Sequence, residues 1–133
     1  MQYEELTGKI LAACFEVSNE LGCGFLESVY QNALVIALEA KGLGVSREHP
    51  ISVTFRDLNV GQFYADLLVE DGILIELKAV SALNEIHKAQ ILNYLKATGL
   101  PVGLLVNFGT PKLEHRRFDN RFVNPRRQIS PTR

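Results

Sequence analysis

The spacing of the hydrophobic positions changes along the chain and marks the elements it predicts. In the first third, apolar residues recur every three to four positions, the spacing of one helix face, and glycines follow at 22 and 42. From Pro50 onward the apolar residues alternate or run together, as they do in strands. The pattern predicts helices over residues 3–21, 26–41 and 84–98, strands over 51–55, 60–69, 73–80 and 102–108, and an optional edge strand over 112–118.

The order of these elements predicts the fold class. The segment 102–108 is nearly all apolar, which is typical of a strand covered on both faces. We therefore expect an α/β protein with a mixed central β-sheet flanked by helices, in the order ααβββαβ with an optional last strand. No repeat or linker divides the chain, so we expect one domain over residues 1–118 and a basic C-terminal tail over 119–133.

The composition agrees with a single globular domain. The 133 residues are 47% hydrophobic and 22% charged, close to ordinary usage, and the chain is long enough to bury a core. No apolar run approaches the roughly 18 residues that span a bilayer. Residues 1–5 are acidic where a signal peptide would be basic. We expect a cytoplasmic protein that does not bind membranes.

The two cysteines do not form a disulfide framework, and there is no CxxC motif. Cys14 falls on the apolar stripe of the first predicted helix, so we expect a buried thiol. Cys23 lies between two glycines, and nothing nearby supports a catalytic role for it.

Charge is distributed unevenly along the chain. The overall net charge is −1, but residues 1–111 carry −6 and residues 112–133 carry +5. The basic segment has two interpretations: a solvated tail, or an arm that contacts phosphates. Composition does not choose between them for its arginines Arg116, Arg117, Arg121, Arg126 and Arg127.

The hairpin of the second and third strands holds the candidate chemistry. Successive side chains of a strand point to opposite faces, so Glu76 and Lys78 share a face. If residues 70–72 form a three-residue loop, Asp66 lies directly opposite Glu76 on that face. A two-residue loop would place Asp66 opposite Leu77 instead, so the prediction depends on loop length.

Two opposed carboxylates repel each other by about 0.2–1 kcal/mol, and a cation between them reverses this effect. Magnesium takes oxygen ligands, often one or two carboxylates with phosphate and water. Lys78 could orient or deprotonate the attacking water and offset charge on a phosphate, which indicates phosphodiester hydrolysis. The alternative is a solvated face on which Lys78 is a surface ion-pair partner. The mostly apolar strand 73–80 weakens that alternative, because unpaired charge is costly there.

Three short motifs occur in a consistent order. Residues 24–30 read Gly-Phe-Leu-Glu-Ser-Val-Tyr, Asp66 precedes Glu76-Leu77-Lys78, and Gln90 precedes Tyr94 by four positions. Over residues 4–118 the chain resembles the PD-(D/E)XK nuclease superfamily and, more narrowly, the bacterial family named for its GxxExxY motif. The Gln90 segment is similar to the QxxxY motif of the superfamily's RecB-like branch. Ala65 replaces the proline that precedes the aspartate in the superfamily pattern.

The resemblance implies a restriction-endonuclease-like core and a Mg²⁺- or Mn²⁺-dependent nuclease that acts on DNA, with RNA as the second choice. It implies metal ligation by Asp66, Glu76 and the backbone carbonyl of Leu77, with Lys78 serving the water. Glu27 resembles the acidic residue of the early helix that reaches the metal or its water shell.

The resemblance also implies that the helix face carrying Gln90, Tyr94 and His87 looks onto the active centre. For His87, a solvent-exposed or hydrogen-bonded histidine is the default interpretation. Tyr30 and Gln31 share a helix face with Glu27. Tyr30 is either a site residue or a core aromatic with a satisfied hydroxyl.

Two function hypotheses follow. The first is the metal-dependent nuclease, favoured by the intact set of Asp66, Glu76 and Lys78. The second is a nuclease-fold nucleic-acid-binding or assembly protein with little or no cleavage activity. It is favoured by the acidic body, which would need a homodimer, a protein partner or the basic tail to hold a polyanion.

Overall fold

The structure is a computed structural model that describes residues 3–121. Among these residues, none of the helices combines the length and the hydrophobicity that a membrane span requires. The elements are α1 Glu4–Leu21, α2 Glu27–Ala40, β1 Val45–Phe55, β2 Leu58–Val69, β3 Ile73–Lys78, α3 Glu85–Thr98, β4 Val102–Asn107 and β5 Glu114–Asp119.

The five strands form one mixed sheet in the order β1-β2-β3-β4-β5. β3 and β4 are parallel, and the other neighbouring pairs are antiparallel. The parallel pair needs a crossover, which α3 supplies. The prediction of an α/β fold with a mixed sheet flanked by helices is confirmed, and the optional last strand is present as β5.

Helices cover both faces of the sheet. Ile73, Ile75 and Leu77 of β3 belong to the core under α1 and α2, whereas Leu74 belongs to the core under α3. This alternation explains why β3 and β4 read as nearly continuous apolar runs. It also places Glu76 and Lys78 in register with Leu74, on the α3 side of the sheet.

Cys14 is fully buried in the core under α1 and α2, which confirms the predicted buried thiol. Burial raises the pKa of this thiol to about 12, so it stays protonated and unreactive. Cys23 is exposed.

The prediction for the first hairpin was wrong at the start of β1 and at the turn, whereas the predicted end of β2 at Val69 is correct. β1 begins at Val45, six residues before the expected start, and runs through Pro50. β1 is an edge strand, and edge strands tolerate proline because one row of their amides pairs with no neighbour. The turn is two residues, Arg56 and Asp57, with φ of 52° and 66°, instead of the expected four.

β1 and β2 extend beyond the rest of the sheet as a two-stranded arm. β2 pairs with β3 only from Leu67 to Val69, while it pairs with β1 along most of its length. Leu67 packs under α1 and α2, yet Ala65 packs under α3. Residues two apart in a regular strand share a face, so β2 must rotate at Asp66. Glu48, across from Asp66 on β1, has a φ of 51° and is skipped in the pairing.

Candidate active site

The β2–β3 hairpin has the loop length on which the site prediction depends. β2 ends at Val69 and β3 begins at Ile73, and these two residues pair directly. The predicted three-residue loop is therefore confirmed. The backbone ladder runs to the pair Leu67–Ile75 and ends one position before Asp66 and Glu76.

At that position, side chains replace the backbone acceptors of the ladder. The backbone N–H of Asp66 donates to Glu76 Oε1 at 3.0 Å, and the backbone N–H of Leu77 donates to Asp66 Oδ2 at 2.7 Å. Each carboxylate thus accepts a hydrogen bond from the opposite strand. Backbone pairing between β2 and β3 stops here, and both carboxylates bond across the gap between the two strands.

The carboxylate pair does not arise from simple alternation along both strands. Glu76 keeps the regular alternation of β3, but Asp66 stands where β2 rotates between its two cores. The expectation that Asp66 lies opposite Glu76 agrees with the register. The prediction assumed that every second residue of β2 lies on one face, and this assumption is wrong at Asp66.

Burial and crowding of negative charge dominate the electrostatics of this gap. Glu76 is only 5% exposed, and burial together with the Asp66 charge raises its pKa to about 8. Burial also raises the pKa of Asp66, and the charges of Glu27 and Glu48 add to this effect. Lys78 opposes both shifts. A second cation at the gap would relieve the remaining repulsion.

Lys78 is connected to α3 by a short chain of hydrogen bonds. Its Nζ donates to Gln90 Oε1 at 3.3 Å, and Gln90 Nε2 donates to the Tyr94 hydroxyl at 3.1 Å. Burial and the nearby charge of Glu76 raise the pKa of Tyr94, so the phenol stays protonated. The structure therefore brings Gln90 and Tyr94 next to Lys78.

Glu27 is the first residue of α2 and is exposed. Its negative charge raises the pKa of both Asp66 and Glu76, so its carboxylate lies close enough to the gap to act on both. Within the residues described, no three carboxylate, histidine or cysteine side chains are grouped closely enough to hold an ion by themselves. A role for Glu27 through water remains a prediction.

Tyr30 is a core aromatic with a satisfied hydroxyl. The hydroxyl donates to the carbonyl of Gly22 at 2.6 Å and accepts from the backbone N–H of Phe25 at 3.2 Å. Its ring stacks on Phe108 with centroids 4.9 Å apart. Gly24, with a φ of 116°, lets the chain turn back into α2. In this motif the glycine and the tyrosine shape the loop before α2, and the charge of the glutamate acts on Asp66 and Glu76.

His87 has a local structural role. Its Nδ1 accepts from the backbone N–H of Asn84, and its own backbone N–H donates to the Asn84 side chain. This reciprocal pair caps the start of α3. The default interpretation of a hydrogen-bonded histidine is confirmed.

The structure adds two residues that the sequence did not assign to the site. Gln31 Nε2 donates to the Asp66 carbonyl at 3.1 Å and to Glu48 Oε2 at 3.4 Å. Gln31 follows Glu27 by one helical turn, a signal that was visible in the sequence. Glu48 gave no such signal, because its segment was not predicted as a strand.

The donor set suits a hard divalent cation. Asp66 Oδ2 and Glu76 Oε1 are fixed by backbone N–H groups, while Asp66 Oδ1 and Glu76 Oε2 accept no hydrogen bond from the described part of the chain. Magnesium commonly uses one or two carboxylates and completes its shell with water and phosphate oxygens. The residues present therefore fit Mg²⁺ or Mn²⁺.

The basic segment is partly used in the fold. Arg117 pairs with Asp119 at 2.9 Å and donates to Thr7 Oγ1 at 3.2 Å, which ties β5 to α1. Arg116 and Arg121 are exposed. Arg126 and Arg127 lie outside the described residues.

With the fold and the carboxylate pair established, comparison with known proteins identifies the class. The family model for the PD-(D/E)XK nuclease superfamily matches residues 4–118, and the chain belongs to this superfamily. Nucleases of this superfamily generally use divalent metals. No curated protein matches the chain.

A solved structure supports the fold independently. The crystal structure of the protein SSO0001 is similar to this chain with a TM-score of 0.51 and 17% sequence identity. The similarity covers 90% of this chain and 60% of that chain, so this chain spans less than two thirds of its length. At this identity the likeness shows a shared fold.

Proposed function

We propose that this protein is a Mg²⁺- or Mn²⁺-dependent nuclease that hydrolyses phosphodiester bonds in DNA, with RNA as the second substrate to test. The observation that carries the proposal is the reciprocal pair of hydrogen bonds between Asp66 and the Glu76–Leu77 segment. They hold two carboxylates in a half-buried gap, beside Lys78. Such crowding costs stability unless a cation occupies the gap.

Asp66 and Glu76 would hold the ion, with the carbonyl of Leu77 as a third ligand and Glu27 acting through water. When bound, the ion supplies Lewis acidity to the phosphate and makes a water more acidic. The fixed oxygens of the two carboxylates set the orientation of the free ones, because each carboxylate is planar and one corner is anchored. Gln31 anchors the Asp66 backbone from α2.

Lys78 would stabilise the negative charge that develops on the phosphate oxygens and orient the attacking water through its Nζ protons. The chain holds this group in place through Gln90. Because Gln90 Nε2 donates to the Tyr94 hydroxyl, its Oε1 is left to accept from Lys78. Gln90 and Tyr94 are thus positioning residues that act through the lysine.

We further propose that the chain belongs to the GxxExxY branch of the superfamily. The roles of the motif residues support this: Gly24 and Tyr30 shape the loop, and the charge of Glu27 acts on the carboxylate pair. A cytoplasmic location and a homodimer or protein partner stay predictions.

A nuclease-fold binding or assembly protein is the second candidate. The observation that favours it is the net charge of −6 over residues 1–111, which opposes binding of a polyanion by the body of the domain alone. Such a protein would keep the metal as a structural or binding element and would cleave nothing.

Incubation of the purified protein with labelled single-stranded DNA, duplex DNA and RNA tests the proposal. We expect cleavage with Mg²⁺ or Mn²⁺ and none with EDTA. Glu76→Gln should abolish it, whereas Glu85→Gln, at an exposed glutamate of α3, should not. Binding of nucleic acid without cleavage by either metal would favour the second candidate, and neither binding nor cleavage would remove both nucleic-acid functions.

A further inference from the structure

A groove of about 720 Å³ runs between α3 and the β1–β2 arm, on the α3 side of the sheet. Val53 and Phe63 of the arm form one wall, and Ile86, Ala89 and Asn93 of α3 form the other. Its volume falls in the range of ligand sites, about 300–1,000 Å³. These five residues have no role in the proposed hydrolysis.

The groove borders the candidate active site. Gln90 and Tyr94 line it, and the same two residues connect to Lys78 by hydrogen bonds. Only the side chain of Gln90 would therefore separate a molecule in the groove from Lys78. This continuity makes a part of the nuclease substrate the natural occupant.

The chemistry of the walls selects which part of a nucleic acid fits. Apolar surface predominates, and the polar groups include the exposed amide of Asn93. Among the lining residues, none is a carboxylate and Lys96 carries the single positive charge. A phosphate would need more positive charge or more donors. A nucleobase is flat, neutral and apolar on its faces, with hydrogen-bonding edges, and matches this lining.

Phe63 offers a stacking surface. Its ring is 45% exposed although it lies at the groove, and it contacts the Tyr94 ring, with centroids 5.9 Å apart at an interplanar angle of 41°. In proteins that bind single-stranded nucleic acids, aromatic side chains along the binding groove commonly stack on unpaired bases. Tyr64, the next residue of β2, is 56% exposed and points to the opposite side of the arm.

We propose that this groove binds an unpaired base of the nucleic-acid strand that is cleaved at Asp66, Glu76 and Lys78, with Phe63 stacking on that base. This inference rests on the proposed nuclease function and names its substrate class. A base inside a duplex is covered by its neighbours and its partner, so it must leave the stack to enter the groove. The protein should therefore prefer single strands or frayed ends to a continuous duplex.

Binding of a labelled single-stranded DNA oligonucleotide, measured by fluorescence anisotropy with Ca²⁺ in place of Mg²⁺, tests the inference. Phe63→Ala should weaken binding about five- to a hundredfold, the range for loss of one base stack. The matched control Tyr64→Ala should change it less than twofold. Phe63→Trp should restore binding, and Ala89→Leu, which fills the groove from α3, should weaken it.

An abasic site placed at successive positions of the oligonucleotide separates stacking from a structural effect on Tyr94. In the wild type, one abasic position should weaken binding by the same factor as Phe63→Ala. In Phe63→Ala, that position should have no further effect. If the two losses are additive, or if Phe63→Ala and Tyr64→Ala behave alike, the inference is wrong.

Parallel measurements distinguish this failure from failure of the proposed function. Metal-dependent cleavage that is insensitive to Phe63→Ala overturns the inference and leaves the nuclease standing. A wild type that neither binds nor cleaves nucleic acid overturns both. Dimerisation in sedimentation that is lost in Phe63→Ala would assign the groove to a second copy of the chain and also overturn the inference.

Discussion

The carboxylates of Asp66 and Glu76 each accept a backbone hydrogen bond from the other's strand, at 2.7 Å from Leu77 and at 3.0 Å from Asp66. The same two hydrogen bonds therefore end the β2–β3 pairing and position the carboxylates of the site. The bonds that would otherwise continue the ladder fix one oxygen of each carboxylate, and the other oxygen stays available to a ligand. Replacing either residue changes the metal site and the end of the hairpin together.

The first prediction concerns metal binding. Mg²⁺ or Mn²⁺ should raise the melting temperature by mass action, because Asp66 and Glu76 are held together as a metal site only in the folded chain. Asp66→Asn and Glu76→Gln, which retain an oxygen acceptor for the backbone bond, should abolish this rise. Thermal denaturation over a metal titration measures it, with Glu85→Gln as the control. Retention of the wild-type rise in either site variant would place the ligands elsewhere.

The second prediction concerns pH and the metal-free protein. Burial and the Asp66 charge raise the pKa of Glu76 from 4.5 to about 8 in the folded state. The folded chain then holds a proton that the unfolded chain releases, so the free energy of unfolding should fall as pH rises from about 4.5 to 8. The contribution is fully present below pH 4.5 and lost above pH 8.

Urea denaturation in EDTA at several pH values checks this dependence. Glu76→Gln cannot release the proton, so its fall over the same window should be smaller, and saturating Mg²⁺ should also reduce the fall. If the free energy of unfolding falls equally with pH in the wild type and in Glu76→Gln, the pKa of Glu76 is not raised in the folded chain.

Much of this site followed from the sequence because loop length determines strand register. Three residues between Val69 and Ile73 suffice to set Asp66 against Glu76. The rotation of β2 at Asp66 could not be predicted, because it depends on which helices cover Leu67 and Ala65. Glu48 was missed for a related reason: its polar segment becomes a strand only by pairing with β2 at the sheet edge.

The third prediction concerns the hydrogen-bond chain from Tyr94 to Lys78. Tyr94→Phe keeps the ring in the core but removes the acceptor that orients Gln90. A hydrogen bond of this kind contributes about 0.5–1.5 kcal/mol, so kcat should fall about two- to tenfold while KM changes little. Steady-state kinetics measure kcat and KM separately. A change confined to KM would make Tyr94 a substrate contact instead of a positioning residue.

The fourth prediction concerns the basic tail. Deletion of residues 122–133, most of the tail predicted over 119–133, removes Arg126, Arg127 and Arg133 and leaves β5 intact. If the tail contacts phosphates, affinity for nucleic acid and its dependence on salt should both decrease. Binding at two salt concentrations tests this, and substitution of the three arginines by glutamine separates charge from chain length. Unchanged affinity and salt slope would support the solvated-tail interpretation.

Cleavage and binding by Lys78→Ala test the central claim most directly. Loss of one group that stabilises the developing charge should lower kcat about a hundredfold or more, whereas affinity for nucleic acid should fall only modestly. Lys88→Ala, which removes a lysine paired with Glu85 on α3, is the matched control and should cleave like the wild type. A Lys78→Ala protein that cleaves as fast as the wild type would contradict the account.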